Sequence, residues 1–363
     1  MDNHELDKQW LIEIKTDRKT GDFLLKPTEL IHSPFSPHRF RNLRFSVVNP
    51  KYIRLIIEIS RYCHPQENHR SFKMFYRSLF WSNYSGKWFQ QIANSPLLSE
   101  LVQQEKGLAE KLHRHILRRD NSIAKRARLL SEHYSVIEQI IAPQLLKQIL
   151  LKGGLLLSRI EITSEQHFEL FLRYAKFPGK EGELAFCWQQ AGNISPLASV
   201  SFTIIPDIKG LSLYIGGLQG PAGASSRERV AEASKACSGL SPKRVVMEGL
   251  FAFAKHIGAY AILAVSDDQQ ISNTKKSKHF SYDDYWLELG GQRNAENDYS
   301  LPLQPIRKQI LDAPTKRRAK YRRQHTHLDA LYQDTLNALA AGYSINLLGS
   351  SNRREKTTTH DVT

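Results

Sequence analysis

Apolar residues recur at helical spacing over the first 150 positions and switch to alternation beyond Gly153, so the chain reads as helices followed by a sheet. Proline punctuates an irregular start at Pro27, Pro34, Pro37, Pro50 and Pro65. Ser95 and Pro96 make a helix start: the serine caps free amides, and proline takes a first-turn position that needs no amide partner. Leu101, Leu108, Leu112 and Ile116 then predict one long amphipathic helix, and a second spans Ile123 to Ile141 and stops before Pro143. The alternating segments predict strands at Leu155 to Ile162, Phe168 to Tyr174, Glu183 to Gln189, Leu197 to Ile205 and Leu211 to Leu218. Pro178 with Gly179, Gly192 with Pro196, and Pro206 with Gly210 lie in spacers short enough for antiparallel hairpins.

The two faces of this meander differ. Leu184, Phe186, Trp188, Val200, Phe202, Ile204, Leu211, Leu213 and Ile215 make apolar rows, whereas Cys187, Ser199, Ser201, Thr203, Ser212 and Tyr214 lie opposite. Small polar side chains suit solvent, a covering helix or a close ligand crevice. After Leu218 a glycine-bearing loop leads to a short helix, Arg227 to Cys237. Ser241 and Pro242 start a second helix, with Val245, Val246, Leu250, Phe253 and Ile257 as its stripe and Gly258 at its end. The apolar run Ala259 to Val265 predicts a buried strand, parallel to the strand before the helix. Ser281 and Asp284 have capping spacing for a further helix to Leu289, with Tyr282, Tyr285 and Trp286 on one face. Basic helices over 316–340 follow a polar stretch. The expected organisation is a helical region at 1–150, a mixed-sheet domain at 151–294, basic C-terminal helices at 295–345 and a disordered tail at 346–363.

Composition adds three constraints. The 363 residues are 41% hydrophobic and 24% charged, which excludes a collagen-like or wholly disordered chain. Cys63, Cys187 and Cys237 are odd in number and far apart, so no disulfide framework or thiolate metal cluster is expected, and a reducing compartment is the simplest reading. The 51 basic against 36 acidic side chains give a net charge of +15 and attract phosphate-bearing partners: anionic membrane, nucleic acid or a nucleotide cofactor. The N-terminal MDNHELDKQW carries acidic residues and no apolar run, so no secretory leader is expected, and no apolar stretch is long enough for a membrane span.

The strongest local feature is LYIGGLQGPAG, Leu213 to Gly223, between a strand and a helical region. Backbone amides at Gly216, Gly217, Gly220 and Gly223 can approach an anion, with Gln219 among them and Arg227, Arg229, Lys243 and Arg244 in reach of a pyrophosphate. The loop is neither a Walker loop nor a spaced dinucleotide fingerprint. Glu181 and Glu183, two apart at a strand start, share the side of Cys187, and one is a candidate general base; Tyr282 or Tyr285 is a candidate proton donor. Ser266 and Asp267 end the buried strand, where ligands of parallel strands often sit, and Asp267 is equally suited to capping a turn. His113 and His115, like His325 and His327, face different directions on helices, and no metal site is expected.

An antiparallel meander, a glycine-bearing exit, a helix and a parallel strand resemble, in order, the acetyltransferases of the GNAT type. That resemblance covers about 153 to 291 and implies coenzyme A or acyl-CoA as cofactor. The loop departs from that superfamily's motif, because Gly220-Pro221-Ala222-Gly223-Ala224 follows Gln219 and an extra helix intervenes. YIGGLQG at Tyr214 to Gly220, SPKRVVMEGLFAFAKHIG, ILAVSD at Ile262 to Asp267, KHFSYDDYWLELGG at Lys278 to Gly291 and EGEL at Glu181 to Leu184 together resemble the VirK/YbjX family of Gram-negative bacteria, over about 40 to 325. This resemblance implies a cytoplasmic protein tied to virulence, envelope adaptation and antimicrobial peptide resistance. Two readings follow. One is an acyltransferase acting on an envelope precursor, lipid or protein; the other is a non-catalytic regulator, peripheral at the anionic inner-membrane surface or bound to a protein or nucleic acid through its basic helices.

Overall fold

The structure, a computed structural model, describes residues 33–176, 179–193, 195–223, 225–271, 280–307 and 309–341. The expected tail and Lys278 and His279 of the KHFSYDDYWLELGG run lie outside the described residues. The fold is α+β, with N-terminal helices and a mixed, mainly antiparallel sheet.

The helical part comprises α1 (Pro37–Phe40), α2 (Pro50–Cys63), α3 (Asn68–Phe80), α4 (Ser82–Asn94), α5 (Pro96–Gln104), α6 (Gly107–Glu110) and α7 (Ile123–Ile140). Asn49 caps α2 by accepting from the Lys51 amide, and Ser95 Oγ accepts from the Leu98 amide at 3.1 Å to start α5. The single long helix expected after Pro96 is two short ones and a 3-10 turn, Lys111–His113. Glu105 leaves helical geometry at φ −124°, ψ 74°, just before Gly107, the poorest helix former in the run other than proline. Leu101, Leu108 and Leu112 are all fully buried on either side of the break. The Tyr52 hydroxyl donates within reach of both the Ser78 and Ser82 carbonyls, at 3.0 and 3.1 Å, and so ties α2 to the α3–α4 corner. The chain divides into two compact units between Ser131 and Glu132, within α7.

In the second unit α8 (Pro143–Leu151) leads into β1 (Leu155–Glu161), β2 (His167–Tyr174), β3 (Leu184–Gln190), β4 (Ala198–Asp207) and β5 (Gly210–Gln219). Next come α9 (Ser226–Ala236), α10 (Pro242–His256), β6 (Ala261–Ala264), α11 (Tyr282–Glu288), β7 (Gln292–Arg293), β8 (Tyr299–Leu301) and α12 (Thr315–Ala340). The eight strands form one sheet in the order β1-β2-β3-β4-β5-β6-β8-β7, with only the β5–β6 pair parallel. The β7–β8 hairpin was not expected, since its strands are short and lie in a polar stretch. The expected basic C-terminal helices are one continuous helix, α12, preceded by a 3-10 turn.

Helix α10 lies on the apolar face of the sheet, buried at nearly every position from Val245 to Ala254. Gly249 is dictated by that approach: a Cβ there would stand 2.7 Å from Leu170 Cδ2 and 3.0 Å from Phe186 Cδ1. The ring of Phe253 meets those of Phe186 and Phe202 at 6.0 and 5.6 Å, and each such buried aromatic contributes about 1.5–3 kcal/mol.

On the other face, Ser199, Ser201, Thr203, Ser212 and Tyr214 are all buried. Helix α7 contributes there, since His133 Nδ1 accepts from the Ile204 amide at 3.1 Å. A bulge sets which part of β5 joins this face. Ser201 pairs with Gly217 while Phe202 pairs with Ile215, so Gly216 is an extra residue and the alternation reverses across it. Leu218 thereby shares the apolar face with Val200, and Gly217 and Gln219 share the small polar face with Ser201 and Ser199.

Candidate functional site

The parallel pairing of β5 and β6 is brief. Ser212 to Ile215 pair with Ala261 to Ala264, and one further bond runs from the Val265 amide to the Ile215 carbonyl. Beyond it β5 continues to Gln219 with no strand on that side among the described residues, because β6 ends and the chain turns away at Ser266 and Asp267. Tyr282, the first residue of α11, fills the parted edge. Its hydroxyl accepts from the Leu218 amide at 2.7 Å and donates to the Leu218 carbonyl at 3.1 Å, as a neighbouring backbone would. Trp286 secures the helix by donating to the Val265 carbonyl at 2.8 Å. Burial, and then the charge of Glu181, push the Tyr282 phenol far above its ordinary range, so it stays protonated.

Glu181 lies on the other side of the same stretch, fully buried over Gly217. A Cβ at Gly217 would fall 1.6 Å from Glu181 Oε2, so only glycine leaves room for the carboxylate. Gln219 Nε2 donates to Glu181 Oε1 at 2.9 Å. Ser201, opposite Gly217, and Thr203 are buried with hydroxyls that have no hydrogen-bond partner among the described residues. Glu183 is engaged elsewhere, accepting from the Tyr134 hydroxyl at 2.5 Å. Tyr134 is completely enclosed, and burial followed by the Glu183 charge holds its phenol well above the usual value.

The remaining sequence candidates occupy distinct places. Asp267 caps α11: its carboxylate accepts from the Tyr282 amide at 3.0 Å and from Ser281 Oγ at 2.9 Å, while its own amide donates to Asp283. Ser266 has a buried hydroxyl with no partner among the described residues, and its amide donates to Asp298, which also accepts from the Tyr214 hydroxyl. Tyr285 packs between Phe280 and Trp286 in tilted and edge-on contacts, its hydroxyl buried and likewise without a described partner. Lys243 Nζ lies 2.8 Å from the Phe280 ring centroid, and burial lowers this amine to about 8. Arg244 donates to the Ile306 carbonyl, and Arg229 to Ser195. Gly220, Gly223 and Arg227 are exposed, with open space around both glycines.

The structure thus brings Glu181, Gly217, Gln219 and Tyr282 together about Leu218, and holds Gly220 and Gly223 in an exposed loop beyond them, with Arg227 exposed in the first turn of α9. Tyr134 and Asp298 had no sequence signal: one sits within a helical stripe, the other in a polar turn. Among the described residues no group of three or more His, Cys, Asp or Glu is placed to hold a metal, and no helix is long and apolar enough to cross a membrane. The cysteines are free and buried, with burial pushing the thiols up to about 12 at Cys63 and about 11 at Cys187 and Cys237.

These features define an α+β protein with a buried carboxylate and a tyrosine-bridged gap at its single parallel strand pair. The family model described as "Protein of unknown function (DUF535)" matches residues 64–337. The chain is 32% identical over 290 residues to "Uncharacterized protein YbjX" of Escherichia coli (strain K12), covering 77% of this chain and 88% of that one. Two proteins of Haemophilus influenzae also match, one 25% identical over 215 residues and the other 32% identical over 125, covering 59% and 34% of this chain and 71% and 42% of their own lengths. No solved structure matches. The chain belongs to the VirK/YbjX family, that of the DUF535 model.

Proposed function

We propose that the protein is an acyltransferase that moves an acyl group from a coenzyme A thioester to an amine or hydroxyl on an envelope-borne acceptor in the cytoplasm or at the membrane face. The observation that carries this reading is the parted β5–β6 edge. Among the described residues its Leu218 amide and carbonyl are met by the Tyr282 hydroxyl in place of a strand, and an extended chain bearing amides, such as pantetheine, can add to such an edge as a strand does. The antiparallel meander followed by a parallel strand agrees with the order the GNAT resemblance implies, apart from the extra helix α9 that precedes the buried α10.

Under this reading Tyr282 swings aside to admit the donor, exchanging two hydrogen bonds for two. Of the two glutamates, Glu181 is the one packed over this stretch of β5, at Gly217, and serves as the base. The acceptor N–H or O–H gives its proton to Glu181 as the new bond to the thioester carbonyl carbon forms; the C–S bond then breaks, and the leaving sulfur takes the proton of Tyr282. Return of the proton from Glu181 to Tyr282 restores both groups. Lys243 and Arg244, at the start of α10, would meet the donor's phosphates by leaving the Phe280 ring and the Ile306 carbonyl. The envelope acceptor rests on the role implied for the VirK/YbjX family.

The test is thermal unfolding with coenzyme A, acyl-CoA species of graded chain length and anionic head groups. A donor at about 100 times its dissociation constant stabilises the fold by about 2.7 kcal/mol. Stabilisation by acyl-CoA that Tyr282→Trp abolishes supports the reading; no shift with any thioester overturns it.

A further inference from the structure

We propose that the edge formed by the N-terminal half of α12 and the segment leading into it docks on the surface of an anionic bilayer. Helix α12 opens Thr315-Lys-Arg-Arg-Ala-Lys-Tyr-Arg-Arg, with Lys316, Arg317, Arg318, Lys320, Arg322 and Arg323 within its first turns and no acidic residue among them. Cations at a helix N-terminus oppose the helix dipole, so this placement costs the isolated fold stability. Arg318 is used internally: it donates to the Ala313 and Leu311 carbonyls and holds the preceding turn against the helix. Lys316, Arg317, Lys320, Arg322 and Arg323 are exposed, and none makes an ion pair among the described residues.

A solvated basic face needs no apolar neighbours, yet this one has them. Leu311, whose carbonyl Arg318 holds, is 73% exposed, and Ile306 is 56% exposed. Ile306 lies against the Gly290 turn that ends α11, where Leu287 is also 56% exposed, and its carbonyl takes the Arg244 guanidinium. A large aliphatic side chain such as Leu311, protruding at the basic start of α12, fits a surface that offers both negative head groups and hydrocarbon. Nucleic acid would meet the cations but gives nothing to Leu311 or Ile306, and these side chains cannot stack on bases as aromatic rings do. The occupant favoured is therefore the bilayer.

The experiment is co-sedimentation of the full chain with vesicles of phosphatidylcholine alone or mixed with phosphatidylglycerol, at low and high salt, with heparin and duplex DNA binding in parallel. Binding only to the anionic vesicles, lost at high salt, is expected. Each cation near the surface is worth about a five-fold change in affinity, so Arg317→Gln with Arg322→Gln and Arg323→Gln lowers vesicle binding by on the order of a hundred-fold. Leu311→Ser, at an exposed site that leaves the fold intact, lowers vesicle binding several-fold and leaves heparin binding unchanged. Vesicle binding that Leu311→Ser leaves unchanged, binding to neutral vesicles as strong as to anionic ones, or binding to DNA without binding to vesicles would each overturn the proposal. None of these readouts involves acyl-CoA, so its failure is separate from failure of the acyltransferase reading.

Discussion

Gly217→Ala probes the packing of the buried carboxylate directly. The backbone of Gly217 is not in the left-handed region, so alanine adds no dihedral strain, and any cost comes from the new methyl group. That methyl would stand 1.6 Å from Oε2, 2.4 Å from Cδ and 2.9 Å from Cβ of Glu181, which is fully buried. Glu181 must therefore leave its position and lose its 2.9 Å bond from Gln219. Overpacking of this kind costs about 1–3 kcal/mol. Loss of a hydrogen bond to a charged acceptor adds about 1.5–3 kcal/mol. The expected destabilisation is about 3–5 kcal/mol, measured by urea unfolding with the slope checked for constancy. The control is the same substitution in Glu181→Gly, where all three clashing atoms are gone and Gly217→Ala should cost under about 0.5 kcal/mol. An equal cost in both backgrounds, or under about 0.5 kcal/mol in the parent, would refute the argument that Glu181 dictates this glycine.

Tyr282→Phe removes both hydrogen bonds to Leu218 and leaves a buried amide unsatisfied; it should lower stability by about 2 kcal/mol in the same unfolding assay, and an unchanged midpoint would show that the bridge contributes nothing. Acid should destabilise the helical unit. His113 is held at about 3 against an ordinary 6.5, by burial above all, so the unfolded chain binds more protons between those values and stability falls as pH drops through them. Glu110 adds to this below its ordinary 4.5: burial would raise it, but the hydrogen bond from His64 and the charge of Arg114 outweigh burial and hold it at about 2. Stability measured across this range should flatten on replacing His113 with Asn, once the loss common to all pH values is subtracted. Finally, the three buried thiols should react with a disulfide reagent at neutral pH only as fast as the protein opens; rapid native-state labelling of Cys187 would contradict its enclosure.

Local chemistry announced the elements themselves. The period-two rows between Leu155 and Leu218 became β1 to β5, and the Ser-Pro starts at Ser95 and Ser241 became helix N-termini, with a side-chain cap at Ser95 and only the first-turn proline at Ser241, because such signals act over a few residues and need no partner far along the chain. The resemblance to the VirK/YbjX family was likewise carried by short ordered motifs. The break after Gln104 was not legible, since Leu101, Leu108 and Leu112 keep one helical spacing straight across Glu105 and Gly107. The β7–β8 hairpin escaped notice because two- and three-residue strands have no period of their own and exist only by pairing beside β6.

The candidate site divides along the same line. The residues Glu181, Gly217, Gln219 and Tyr282 were visible as unusual in sequence, but their conjunction depends on the extra residue Gly216, which turns Gly217 and Gln219 onto the small polar face. Simple alternation from Leu213 and Ile215 would have put Gly217 on the apolar face instead. Which glutamate meets the gap, and that a tyrosine hydroxyl replaces a strand there, were settled by where β6 ends and where Asp267 starts α11. Sequence by itself determined the elements and the family, because these rest on interactions between near neighbours. Only the tertiary structure decided the faces, the parted edge and the burial of the carboxylates, because each of those is a relation between strands and helices that the chain brings together from distant positions.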